Sequence, residues 1–190
     1  MTQKQKEILF GTLLGNANLQ TYTGRKTWRA RFSQGDLNKD YLFHLYSIFK
    51  SFVKTEPKSS LDKNNNKRWY FNTTVNPCLN EFAEFFYDKK KVLPSIEVIN
   101  HYLTPLALCY WYMDNGIKKW NANAYYLCTD HLTLDDLKIL RTVFKQKWDI
   151  DVNFHKKDFN YRLYIPVREA NKFKELIYPM IDWEMKYKLD

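Results

Sequence analysis

The feature that most constrains this chain is a pair of short segments, about half the chain apart, that are largely apolar on every side. The first covers residues 6–14 and the second covers residues 103–113. A helix that is apolar all round is a buried helix, so each segment predicts a helix inside the fold. Gly11 and Gly15 lie four residues apart on one face of the first helix, where a second backbone could approach closely.

The same order of sequence patterns follows each apolar segment. Two strand-like stretches, an amphipathic stretch, two more strand-like stretches and a closing amphipathic stretch predict the order αββαββα for each half. An internal duplication is the simplest explanation of this repetition. We therefore predict two similar halves, residues 1–94 and residues 95–190, each with four strands.

The predicted strands have one apolar and one polar face, and such sheets expose one face to water. Arg29 and Arg31, for example, alternate with Trp28, Ala30 and Phe32. The side chains that we assign to the wet faces are Arg29, Arg31, Arg68, Tyr70, Asn72, Tyr125, Lys156 and Arg162. Two such faces side by side would form a basic saddle studded with aromatic rings.

The charge balance favours a polyanionic partner. Thirty Lys and Arg against 21 Asp and Glu give a formal net charge of +9, and nucleic acid is the simplest polyanion that would balance it. The alternative is that the lysines only keep the protein soluble. Three widely spaced cysteines without a CxxC pair argue against a disulfide framework or a zinc site. No apolar run approaches the ~20 residues that span a bilayer, so we expect no membrane association and an intracellular location.

Two motifs resemble the LAGLIDADG motif of homing endonucleases. The first is LFGTLLGNA at residues 9–17, and the second is ALCYWYMDNG at residues 107–116. The two motifs end at Asn16 and Asn115, which are about half the chain apart. One motif alone would be weak evidence, but two motifs at this spacing within duplicated halves identify the chain as resembling the single-chain, two-motif members of the family.

The resemblance implies an α+β fold with pseudo-twofold symmetry, in which the two motif helices pack together between two antiparallel four-stranded sheets. The sheets would form a saddle in the major groove of a long, specific double-stranded DNA target, bound by a monomer. The last residues of the motifs, normally acidic, would hold divalent metal ions, usually Mg²⁺, above the minor groove. Cleavage of both strands would follow.

The family pattern also assigns individual residues. The positions implied for catalysis are Asn16, Asn115, Lys91 and Lys188, and the positions implied for metal binding are Asn16, Asn115, Gly15 and Asp114. Two metals can stabilise charge on the attacking and the leaving oxygen of a phosphodiester, and magnesium favours anionic oxygen ligands. The DNA-binding set comprises the wet-face residues above together with Arg25 and Lys118.

This sequence departs from the family at the two positions that matter most. Asn16 and Asn115 keep the shape of aspartate but lack its charge, so we predict that the chain cleaves DNA poorly or not at all. We do not expect Asp114 to substitute for Asn115, because a shift of one residue turns a helical side chain by ~100°. The paired change fits either an engineered inactive form or a natural relative that kept binding and lost cleavage.

Two further functions remain open at this point. The protein could be an intron-splicing maturase, since some members of the family bind RNA and a basic aromatic surface suits RNA as well. It could also be a DNA-bound regulator that never cleaves. In each case we expect the protein in the compartment of its intron, such as a mitochondrion or a chloroplast. The target sequence cannot be derived from the chain, because base recognition depends on groove geometry and DNA shape.

Overall fold

The computed structural model describes residues 1–22, 24 and 27–190. Arg25, which was predicted to contact DNA, lies outside these residues. The α-helices are α1 (Gln3–Leu14), α2 (Lys39–Phe49), α3 (Asn80–Phe86), α4 (Ile96–Tyr102), α5 (Pro105–Asn115), α6 (Leu134–Trp148) and α7 (Val167–Ile177). The strands are β1 (Asn18–Gln20), β2 (Arg29–Gly35), β3 (Lys58–Leu61), β4 (Lys67–Asn72), β5 (Tyr87–Asp88), β6 (Lys90–Lys91), β7 (Gly116–Lys118), β8 (Tyr125–Leu127), β9 (Asn153–Lys157) and β10 (Asn160–Ile165).

Two four-stranded sheets with the same topology confirm the predicted α+β architecture. Their strand orders are β1-β2-β4-β3 and β7-β8-β10-β9, and every neighbouring pair is antiparallel. The two sheets therefore repeat the same path of the chain, as a duplication requires. A small hairpin of β5 and β6 forms a separate two-stranded sheet.

The region between the halves differs from the predicted pattern. Helix α4 was not predicted; it begins after Ser95, whose hydroxyl accepts a hydrogen bond from the Val98 N–H. The second apolar helix begins at Pro105 rather than at residue 103, because Thr104 caps it. Proline fits the first turn of a helix, where its missing N–H would have had no partner within the helix. In the described residues, no helix has the length and apolarity needed to cross a membrane.

The two apolar helices lie side by side at the centre of the molecule, as predicted. From residue 8 to residue 14 every residue of α1 is buried, and so is every residue of α5 from 107 to 113. A Cβ atom added to Gly11 would lie 2.1 Å from the carbonyl oxygen of Ala107, so the two backbones touch at this point. One continuous apolar core includes both helices and the inner faces of both sheets.

Candidate nucleic-acid interface

The ends of the two central helices meet at Gly15 and Asp114. A Cβ atom added to Gly15 would lie 2.5 Å from the Asp114 side chain. The Asn16 N–H donates to Asp114 Oδ2 at 3.0 Å, and Gln34 Nε2 donates to Asp114 Oδ1 at 2.7 Å. Since Asn16 and Asn115 directly follow the two residues in contact, the two motif ends lie side by side.

Asp114 is half-buried, and neighbouring residues hold its carboxylate in place. Burial raises the pKa of its carboxyl to about 6, against the opposing effects of the Asn16 N–H, the Lys188 charge and Gln34. Burial, with a contribution from the Asp114 charge, raises the pKa of Tyr41 well above its usual value. Both Asp114 oxygens already accept hydrogen bonds, and these bonds argue against its predicted place in the metal-binding set. Gly15, at the matching position of the first motif, has no side chain and therefore leaves room for the Asp114 carboxylate.

The two motif amides differ in their surroundings. Asn16 is exposed. Asn115 is half-buried, and its Nδ2 lies 3.4 Å from the Cys128 carbonyl oxygen, which accepts its hydrogen bond. The Cys128 N–H in turn donates to the Asn115 carbonyl at 2.9 Å. These two bonds tie the chain that follows β8 to the end of α5.

The two predicted lysines occupy matching places at the motif ends. Lys91 Nζ donates to the carbonyl oxygens of Ala17 at 2.9 Å and Gly15 at 3.4 Å. Lys188 Nζ donates to the carbonyl oxygens of Met113 at 2.5 Å and Asp114 at 3.4 Å. Burial lowers the pKa of Lys91 to about 8 and also lowers the pKa of Lys188, while the Asp114 charge opposes both shifts.

The donor set at this centre does not fit a magnesium ion well. Magnesium is normally held by carboxylates and keeps several waters, whereas the two motif positions offer neutral amides. The Gly15 carbonyl, also assigned to the metal set, faces the Lys91 ammonium. Within the part of the chain that is described, no three His, Cys, Asp or Glu side chains are grouped so that they could hold a metal ion. No catalytic step can therefore be derived through a metal here.

The polar face of the first sheet carries all five side chains predicted for it. Arg31 pairs across the strands with Asn72, and Ser33 pairs with Tyr70. Paired residues share a face of the sheet, and the alternation along β2 and β4 adds the other two predicted residues, Arg29 and Arg68. The side-chain amide oxygen Oδ1 of Asn72, one of these five residues, is buried without a hydrogen-bond partner in the described residues.

The arginines of this first face are held in place by their neighbours. Gln20 Oε1 accepts from Arg29 Nε at 3.2 Å and from Nη2 at 3.0 Å. The Arg31 guanidinium stacks on the Tyr70 ring, 3.9 Å from the ring centroid. Arg68 Nε lies 3.5 Å from the hydroxyl oxygen of Ser33. Orientation of this kind reduces the entropy that the side chains lose on binding.

Three residues of the second sheet that were predicted to contact DNA lie on its core-side face, because the predicted phase of their strands was wrong by one residue. Tyr125 is fully buried, and its hydroxyl donates to Asn123 and to the Leu189 carbonyl. Lys118 pairs with Tyr125 and so belongs to the core-side face, where its Nζ donates to the Asp190 carbonyl. Lys156 pairs with Tyr161, which packs against the core. A shift of one residue moves a strand side chain to the other face.

The polar face of the second sheet carries an aromatic cluster that the sequence reasoning missed. Tyr126 and Tyr164 pair on this face, and His155 shares it with Arg162. The His155 ring stacks on Tyr164 with 3.8 Å between centroids, and the Tyr126 hydroxyl lies 3.1 Å from His155 Nδ1. The alternation of buried Leu163 and Ile165 in β10 would have indicated Tyr164 and, through pairing, Tyr126.

Arg162, the fourth predicted residue of this sheet, lies on its polar face as expected. Its Nε donates to both carboxylate oxygens of Asp130, each at 2.9 Å. Asp130 follows the end of β8 and had no assigned role in the sequence reasoning. The arginine of the second sheet is therefore paired with a negative charge, unlike Arg31 on the first.

Comparison with known proteins agrees with this geometry. The model of the LAGLIDADG DNA endonuclease family matches residues 6–173. The DNA endonuclease I-ChuI of Chlamydomonas applanata is 36% identical, and the match covers all of this chain and 95% of that protein. A cytochrome b mRNA maturase bI2 of Debaryomyces hansenii is 31% identical, with coverage of 100% and 74%.

A solved structure matches over the same length. The homing endonuclease I-WcaI bound to its DNA recognition sequence superposes with a TM-score of 0.91 at 25% identity, covering all of this chain and 87% of that one. The paired central helices, the two repeated sheets and these matches show that the chain belongs to the LAGLIDADG DNA endonuclease family.

Proposed function

We propose that this protein binds a long, specific double-stranded DNA site through the polar faces of its two sheets and does not cleave it efficiently. The observation that carries the proposal is that lysines and amides occur together at the ends of the two central helices. The helix ends and lysines are arranged as the family pattern requires, while the two motif side chains are amides. A relative solved on its DNA recognition sequence, with the same fold over the whole chain, supports duplex DNA as the partner.

The charge distribution explains why binding survives the loss of the carboxylates. Lys91 and Lys188 hold ammonium groups at the motif ends, where the family places the DNA backbone. Two carboxylates at the same place would repel phosphates, and two amides do not. The arginines of the sheets add contacts to phosphates or base edges. Affinity should therefore fall steeply as salt rises, as counterions released by phosphate contacts require.

The same substitution explains why cleavage should fail. Hydrolysis of a phosphodiester needs charge stabilisation at the attacking and leaving oxygens. In active members of the family a divalent metal supplies it, and Mg²⁺ is the ion that we propose for the parent activity. Asn16 and Asn115 together remove two formal negative charges from the set that would attract such an ion. The half-buried Asp114 is no free replacement, because both of its oxygens already accept hydrogen bonds.

The test is a double reversion assayed on a selected target. The duplex site is first selected from a random DNA pool with the unmodified chain. Asn16→Asp/Asn115→Asp is then incubated with the site in Mg²⁺, with EDTA and the two single reversions as controls. We expect double-strand cleavage by the double variant in Mg²⁺ alone. Cleavage at a similar rate by the unmodified chain, or failure of the double variant to cut a site that it binds, would contradict the proposal.

A second candidate function is RNA binding in intron splicing. One observation favours it: a relative that matches the whole of this chain is a cytochrome b mRNA maturase. Competition between a structured intron RNA and the selected duplex for the labelled chain separates the two functions. Displacement of the duplex by RNA at lower concentration than by unlabelled duplex would favour the maturase.

Membership of the family also supports proposals for the oligomeric state and the location of the protein. We propose a monomer, because one chain supplies both motif helices and both sheets. An organellar location fits relatives that include an intron-encoded endonuclease and a cytochrome b mRNA maturase. We further propose residues 1–94 and 95–190 as the two duplicated halves, which share one core.

A further inference from the structure

We propose that Arg162 recognises a guanine in the half of the target bound by the second sheet, and that Asp130 is the residue that positions it. The inference rests on the proposed function, because it names the base class that one part of the same DNA-binding surface selects.

The geometry fixes one edge of the Arg162 guanidinium and leaves the other edge available. Nε donates to both oxygens of Asp130 at 2.9 Å. Nη1 and Nη2 have no hydrogen-bond partner among the residues that the structure describes. Guanidinium carries five N–H donors in a planar fork, so four donors remain for a ligand. Two parallel donors match the O6 and N7 acceptors of guanine in the major groove.

The position of the pair in the sheet directs this edge towards a ligand. Arg162 alternates with the buried Leu163 and pairs with His155, so it lies on the polar face. Its side chain is 26% exposed and that of Asp130 is 36% exposed. The pair is therefore accessible, yet more constrained than a free surface arginine. Because the fork is already oriented, less entropy is lost on forming a bidentate contact.

The segment that carries Asp130 connects β10 to the end of α5: the Thr129 hydroxyl accepts from the Leu163 N–H and donates to the Tyr161 carbonyl, and the Cys128 N–H donates to the Asn115 carbonyl. Positive charge on both Arg162 and Lys188 acts to lower the pKa of Cys128, although burial raises it overall. The Cys128 carbonyl accepts from the Asn115 side chain at the end of α5. Cys128 thus links Arg162 to the central helix end. We place the guanine towards the middle of the target rather than at its outer end.

The carboxylate makes this contact selective rather than merely attractive. A lone arginine binds any phosphate, whereas Arg162 with Asp130 carries no net charge and repels an approaching phosphate through the carboxylate. Specificity often arises from such a penalty against the wrong partner. The pair should therefore contribute strongly to discrimination at one base pair and weakly to general affinity. Arg31, which stacks on Tyr70 without a carboxylate, should behave in the opposite way.

The experiment compares base preferences of the unmodified chain, Arg162→Lys, Asp130→Asn and the control Arg31→Ala. Each is measured on the selected site and on its single-base-pair variants, after thermal melting has verified folding. Lysine keeps the charge of Arg162 but lacks the bidentate fork. We expect Arg162→Lys to lose about 5- to 150-fold discrimination for guanine at one inner position. Asp130→Asn should weaken preference at the same position and increase binding to unrelated duplex at low salt. Arg31→Ala should leave that position unchanged.

Three results would overturn the inference. The first is an unchanged preference at every position in both Arg162→Lys and Asp130→Asn. The second is a loss of affinity spread equally over all sequences, which would make Arg162 a phosphate contact. The third is loss of a cytosine preference in Asp130→Asn alone, which would mean that the carboxylate contacts the base directly. If the unmodified chain selects no duplex at all, the proposed function fails instead, so the two failures are distinguishable.

Discussion

The two sheets have the same strand order and the same antiparallel pairing, but their polar faces carry different chemistry. The first face presents three arginines, held by Gln20, Tyr70 and Ser33. The second presents stacked histidine and tyrosine rings and a single arginine that is paired with a carboxylate. The two halves thus share one strand topology but differ in the side chains on their polar faces. A protein built in this way is suited to a target whose two halves differ in sequence.

Matching positions make the divergence specific. Leu19 pairs with Ala30 in the first sheet, and Lys118 pairs with Tyr125 in the second. Ala30 and Tyr125 therefore occupy matching positions. The residues that follow them, Arg31 and Tyr126, match as well. By the same reasoning, Phe71 corresponds to Leu163, and Tyr70 corresponds to Arg162. At these two matching positions each sheet carries one arginine and one tyrosine, but the two residues have exchanged strands. If both faces bind DNA as proposed, the same two side-chain types would meet different base pairs in the two halves.

Both sheets are held in one molecule by the packing of α1 against α5. Of the changes considered, Gly11→Ala should disturb this packing most. The added methyl group would meet the Ala107 carbonyl oxygen, which belongs to backbone and cannot easily move. We expect a loss of about 3 kcal/mol in the free energy of unfolding, the upper range for overpacking. Urea denaturation measures it, with Gly35→Ala as the control because nothing lies near its added methyl group. Equal stability of the two variants would disprove the backbone contact.

The arginines of the two sheets should differ in the salt dependence of DNA binding. Arg31→Ala removes an uncompensated positive charge, so the slope of log K against log salt should decrease by about 1 if Arg31 contacts a phosphate. Arg162→Ala removes a charge that Asp130 already balances, so its slope should change less. Binding titrations between low and moderate salt, on the selected site, measure both slopes. A larger change for Arg162 than for Arg31 would reverse the assignment of the two faces.

A pair of conservative tyrosine variants tests which ring of the second sheet faces the DNA. Tyr125→Phe removes hydrogen bonds from a buried hydroxyl to Asn123 and Leu189, and it should reduce stability by about 1 kcal/mol without changing DNA affinity. Tyr126→Phe should leave stability nearly unchanged and weaken binding through the His155 cluster. Chemical denaturation and DNA titration of both variants give the answer. Weaker DNA binding by Tyr125→Phe at full stability would restore the original assignment of Tyr125.

The smallest expected effect is a pH dependence confined to the second sheet. Burial, followed by the nearby Lys119 charge, lowers the pKa of His155 below its usual value, so the ring is neutral at pH 7. As pH falls through the lowered pKa, His155 gains a proton and with it an attraction for phosphate. The matching position on the first sheet is Lys58, so the first sheet has no imidazole at this place. DNA affinity should rise modestly on acidification in the unmodified chain and less in His155→Gln. Identical pH profiles of the two proteins would exclude His155 from the binding face.

The sequence was sufficient for the fold and for the first sheet, for clear physical reasons. Two all-round apolar segments could only be buried helices, and their repetition required duplicated halves. In β2, arginines alternate strictly with apolar residues, so the phase of the strand was unambiguous. The glycine at position 11 also predicted the close approach of the helices that the structure contains.

The second sheet was harder because its strands carry similar residues on both faces. In β8 two tyrosines are adjacent, and one is buried while the other faces outward. In β9 a run of polar residues gives no apolar alternation by which to set the phase. The phase of β8 and β9 is fixed only by their pairing with β10, in which Leu163 and Ile165 are buried. The placement of Asp114 was likewise beyond the sequence, since it depends on contact across the two halves with Gly15 and Gln34.

The most direct test of the account is the affinity of the unmodified chain for its selected duplex, measured in Mg²⁺ and in EDTA at matched ionic strength, with the DNA recovered afterwards. The account predicts equal dissociation constants in the two conditions and intact DNA, because both motif side chains are amides and the one nearby carboxylate, Asp114, already accepts hydrogen bonds on both oxygens. Tight binding that requires Mg²⁺, or recovery of DNA cut on both strands, would contradict it.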